Sequence, residues 1–65
     1  MIEFKQIGKG FIVLLNNNVV GHIWREPWGD KIEWVFQQPD VYGAIIRSDL
    51  AELKEIINTL LGEQQ

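Results

Sequence analysis

Apolar positions follow two rhythms along this chain. Up to about Ile46 they fall in short runs and period-two alternations, and from Leu50 onward they recur every three to four residues. Ile2 to Ile7 reads as a first strand, ended by Gly8-Lys9-Gly10, whose glycines permit a turn. Phe11 to Leu15 and Val19 to Arg25 are rich in β-branched and aromatic residues and flank Asn16-Asn17-Asn18. Asn tolerates the left-handed backbone of a tight turn, so these runs predict a β-hairpin. Its register stays open, but simple alternation groups His22 with Val20 and Trp24, opposite Val19 and Ile23. Glu26-Pro27-Trp28-Gly29-Asp30 is expected to break the pattern as a turn, with Pro and Gly suited to it. In Lys31 to Phe36, Ile32, Trp34 and Phe36 alternate with more polar neighbours, which places Trp34 on a core face. Gln37 to Asp40 is a connector, and Val41 to Ile46 adds a short extended segment. Links this short favour an antiparallel meander, because parallel strands need crossovers of about a dozen residues or more.

The second rhythm predicts one helix. Ser48 is a good N-cap, Asp49 complements the positive end of the helix dipole, and Gly62 stands where a helix would stop. Leu50, Leu53, Ile57 and Leu60, with Ile56 and Leu61 beside them, form one apolar stripe, and one stripe means one buried face. Its partner is the apolar face of the sheet. The expected fold is therefore α+β: an antiparallel three- to five-stranded β-meander packed against a single C-terminal α-helix at about residues 48–61, within one domain over 1–65, with Glu63-Gln64-Gln65 as a frayed tail.

Length and charge narrow the functional classes. Sixty-five residues bury only about 60% of the unfolded surface, and stability of about 3 to 10 kcal/mol is expected at this size. The absence of Cys excludes disulfides, thiolate zinc sites and thiol nucleophiles. The start of the chain mixes charges of both signs before a short apolar run, unlike a signal segment, and nothing approaches a membrane span, so a cytoplasmic protein without membrane association is expected. Acids and bases balance as far as Arg47, and the net charge of −3 arises from Asp49, Glu52, Glu55 and Glu63 against Lys54. No basic face for duplex DNA is evident.

Candidate chemistry is sparse. His22 is the sole histidine, Ser48 the sole serine and Thr59 the sole threonine, and no strained nucleophile turn surrounds Ser48. His22 with Glu26, Asp30 or Glu33 has no metal-ligand spacing, and neither a metal nor a cofactor is expected. Glu26 and Glu33 flank the Trp28 turn and could be paired carboxylates, but two acids beside a turn read more simply as solvated charges. Gly8-x-Gly10 is a turn, because no helix follows it to hold a phosphate. The aromatic residues carry more. Trp24 falls on the face with His22 and Trp28 falls in a turn, so both rings are candidates either for enlarging a small core or for an interface.

The pattern Gly10-Phe11-x-Val13-Leu14-x-Asn16, then Val20-Gly21-x-Ile23, Trp34-x-Phe36 and Ser48 leading Leu50 and Leu53 resembles small proteins encoded by phages and prophages. Several of those are strand meanders closed by one C-terminal helix. The resemblance implies a host-cell cytoplasmic setting and an accessory, non-enzymatic role, and carries over no site residue. The expected function is a non-catalytic protein-interaction module, self-associating or docking on a protein partner through a surface that includes Trp24, Trp28, His22 and Arg25. The alternative is weak single-stranded nucleic-acid binding, with Trp24, Trp28 and Tyr42 as stacking platforms and Lys5, Lys9, Arg25 and Lys31 along the backbone path.

Overall fold

A computed structural model describes residues 1–62; the tail expected at Glu63–Gln65 lies outside the described residues. The order is β1 (Ile2–Ile7), β2 (Gly10–Leu15), β3 (Asn18–Trp28), β4 (Lys31–Gln37), β5 (Ile45–Arg47) and α1 (Leu50–Gly62). The strands form one sheet in sequence order, β1-β2-β3-β4-β5, and every neighbouring pair is antiparallel. The expected α+β meander with a single C-terminal helix is what the chain forms. No helix among the described residues is long and apolar enough to cross a membrane.

The turns follow from residues that accept positive φ. Asn16 and Asn17 take φ of 52° and 69°, which fits the type I′ hairpin turn that two left-handed residues make. Asn18 is not in the turn but opens β3 opposite Leu15. Met1 secures this end: its ammonium donates to Asn16 Oδ1 at 2.9 Å and its carbonyl accepts from Asn16 N at 3.1 Å. The β3–β4 loop is only Gly29-Asp30, with Gly29 at φ 64°.

Three local expectations are corrected. First, Glu26, Pro27 and Trp28 are the end of β3, paired with Glu33, Ile32 and Lys31, and do not break the strand. Pro27 is tolerated because β2 pairs with β3 only as far as Ile23, so the edge of β3 at Pro27 has no neighbour on that side that would require its N–H. Second, a bulge lies between Val13 and Leu14 on β2: Val13 pairs with Gly21 and Leu14 with Val19, so Val20 is an extra residue. The bulge moves Val20 off the face of His22 and Trp24, and Val20 packs against the core instead. Third, Asp49 is the helix cap rather than Ser48. Its Oδ1 accepts from Ala51 N at 2.9 Å and more weakly from Glu52 N at 3.5 Å, satisfying donors that the first turn leaves unpaired.

The core lies between the helix and one face of the sheet. Val13, Ile23, Phe36, Leu53, Ile57 and Leu61 are buried together, with Ile2, Phe4, Phe11, Val20, Trp34, Ile45 and Leu50 half-buried around them. Gly21 makes this packing possible. A Cβ there would stand 2.4 Å from Phe36 Cε1, so the Phe36 ring occupies the space a side chain would take. Trp34 closes the side of the core, its ring centroid 6.1 Å from that of Phe11 and the Arg25 guanidinium 5.4 Å away. Lys54 lies across the rings of Phe11 and Phe4 at 4.7 and 5.3 Å, a cation–π contact that extends the core into a charged side chain. Ile32 shares the alternation of Trp34 and Phe36 but is exposed, because it lies on the part of the β3–β4 hairpin that runs beyond the other strands.

Candidate functional site

The helix covers one face of the sheet, and strand alternation turns every second residue to the other face. Register shows what that open face carries. Ile7 pairs with Gly10, Gly10 abuts Trp24, Trp24 pairs with Val35 and Val35 with Ile46. One apolar row therefore crosses all five strands. A second row, Lys5, Ile12, His22 and Gln37, lies on one side of it. Beyond that come Glu3, Leu14 and Val19. On the other side of the apolar row stand Glu26 and Glu33, directly opposite each other, and then Trp28 opposite Lys31.

This face is organised, not simply a solvated side. Val35 points away from the helix yet is only 3% exposed, because Trp24 and Ile46 flank it on the same face. Trp24 is fixed by a hydrogen bond from its Nε1 to Glu26 Oε1 at 2.6 Å. Ile7, Val19 and Trp28 are about half-exposed on it. Ile7, Ile12, His22, Trp24, Gln37 and Pro39 line a shallow apolar groove of about 570 Å³. Gln37 builds its far wall by donating through Nε2 to the carbonyls of Gln38 and Val41, both at 2.8 Å, which anchors the connector that carries Pro39.

Of the residues expected to form an interaction surface, the structure brings together Trp24, His22 and Trp28 on this open face. Arg25 alternates to the opposite face, over Trp34. Trp24 and Trp28 do not stack on each other; the aromatic contact among the described residues is Phe11 with Trp34. The cations considered for nucleic acid are scattered: Lys5 and Lys31 lie on the open face at opposite ends, with Glu26 and Glu33 between Lys31 and the groove. Lys9 is in the β1–β2 turn, Arg25 faces the helix side, and Tyr42 is fully exposed in the β4–β5 connector. His22 is on β3 and Ser48 precedes the helix, with no hydrogen bond between them among the described residues. Nor do the described His, Asp and Glu residues gather in threes that could hold a metal ion.

Sequence reasoning missed Ile7, Ile12, Val35 and Ile46 as parts of this face. Each belongs to a different strand and reads locally as ordinary core, so only register across the sheet shows that they share a surface with Trp24. The fold and surface define a five-stranded antiparallel meander with one face under a helix and one apolar face uncovered. No family model, no curated protein and no solved structure matches the chain.

Proposed function

We propose that this protein is a non-catalytic protein-interaction module whose working surface is the open face of the sheet, an accessory protein of a cytoplasmic setting such as the phage or prophage patterning implies. The observation that carries the reading is the continuous row Ile7, Gly10, Trp24, Val35 and Ile46, uncovered by any element of the fold. Isolated apolar residues on a surface are ordinary, but a contiguous apolar patch rimmed by polar groups is characteristic of a protein-binding surface. Trp24 and Trp28 add the residue type most enriched at the energetic centres of interfaces. A non-catalytic role is supported by the placement of His22 on β3 and of Ser48 ahead of the helix, on separate elements. The nucleic-acid alternative draws no support from a cation set divided between two faces.

Photo-crosslinking in cells carrying the native gene tests the reading. A photoreactive residue in place of Ile12 or Trp28 should give adducts of defined mass, while one in place of Tyr42 or Glu55, off this face, should give none. Absence of adducts from the open face, or equal adducts from every position, would overturn it.

A further inference from the structure

The order of rows on the open face specifies an occupant. Read along β3, the face carries Val19, His22, Trp24, Glu26 and Trp28. Apolar Trp24 sits at the centre, the imidazole lies on one side, the carboxylates on the other, and an apolar residue stands at each end. Such an order is self-complementary under one operation, a two-fold axis lying along the apolar row and perpendicular to the strands. That axis lays the row Ile7, Trp24, Val35 and Ile46 on the same row of a second copy. It sets Glu26 over His22 of the second copy and Trp28 over the Val19 end, and the two-fold repeats each contact.

We infer that the partner of the open face is a second copy of this chain, docked face to face about a two-fold along the Ile7–Ile46 row; this rests on the reading of that face as the interaction surface. Four features select this arrangement. Glu26 and Glu33 are like charges directly opposite on adjacent strands, which is unfavourable in an isolated sheet. One Glu26 oxygen accepts from Trp24, and its other oxygen is available to an imidazole N–H. A slip of one row either way would set the glutamates on the Trp24–Val35 row or on the Val19 end, burying charge against apolar side chains. A two-fold along the strands would bring the two glutamate pairs together. At the rim the chosen axis carries Lys5 over the Gly8–Lys9 turn, an exposed like-charge contact that solvent screens.

Only β3 and β4 run to both sides of the Trp24–Val35 row, while β1 and β2 reach it at their turn ends and β5 at Ile46 alone, so the mated area falls short of the roughly 1,000 Å² that a stable specific interface clears. The dimer should therefore be reversible.

Sedimentation equilibrium of the purified full chain from about 1 μM to about 1 mM tests this, with circular dichroism to verify folding. Wild type should shift toward twice the 7.6 kDa chain mass. Glu26→Lys, which also relieves the clash with Glu33, should remain folded and weaken the dimer at least about tenfold, because Lys then faces His22. Combining Glu26→Lys with His22→Glu should restore it to within about threefold, since the same contact re-forms with donor and acceptor exchanged. A wild-type chain monomeric throughout would overturn the proposal, as would a dimer that Glu26→Lys leaves intact or a loss that His22→Glu does not rescue. Crosslinks from the open face to a protein of another mass would, beside a monomeric chain, leave the interaction reading standing while ending this one.

Discussion

The two faces of this sheet are built by the same strands, and nearly the same residue types, yet they are covered to different extents. On the helix side, Val13, Ile23 and Phe36 meet Leu53, Ile57 and Leu61 with almost no exposure, and Gly21 is vacant so that Phe36 can lie flat against the backbone. On the open side, Ile7, Trp24, Val35 and Ile46 line up as continuously, but only Val35 is buried. Burial area decides the difference. At about 25 cal/mol per Å² removed from water, the helix side realises its apolar area on folding. On the open side Trp24 and Ile46 are half-buried by their neighbours and Ile7 stays 55% exposed. The lesson is that an apolar period-two pattern reports a face that must be covered, not which element covers it.

The largest effects should come from breaking the covered face. Phe36→Ala should cost about 3–5 kcal/mol, comparable to the whole stability expected at this size, so circular dichroism should show the chain largely unfolded. Gly21→Ala should destabilise by about 1–3 kcal/mol by forcing Phe36 out of its rotamer, seen as a lower denaturation midpoint. A midpoint equal to wild type would mean that Phe36 has room to move. Asp49→Ala should lose about 0.5–2 kcal/mol through the helix cap, while Ser48→Ala should fall within about 0.5 kcal/mol of wild type; the reverse order would restore Ser48 as the cap. Smallest of all should be Ile7→Ser on the open face, a shift of under about 1 kcal/mol in monomer stability, because Ile7 is already 55% exposed.

Much of the fold was legible because local chemistry and global architecture agree. The asparagine turn, the alternation through Trp34 and Phe36 and the helical stripe each point to the element observed. What escaped depends on neighbours in space. Pro27 reads as a breaker unless it is known that β2 has stopped pairing by then. Val20 reads as a companion of His22 unless the bulge opposite Val13 is known. Ser48 and Asp49 are both competent caps, and the choice between them turns on one residue of helix phase. Of the surface, Trp24, His22 and Trp28 were visible as candidates, whereas Arg25 is committed to Trp34. The apolar row itself needs the register of five strands and could not be seen in any one of them.

The division of labour between the two faces is tested most directly by Trp24→Ala combined with Trp28→Ala, measuring thermal stability and solution mass on the same sample. The prediction is a folded chain, with Tm lowered by no more than about 4–8 °C for the roughly 1 kcal/mol lost over Val35, and complete loss of association. Unfolding of the double variant would place both rings in the core, and a folded variant that assembles as wild type does would show that the open face is not where this protein binds.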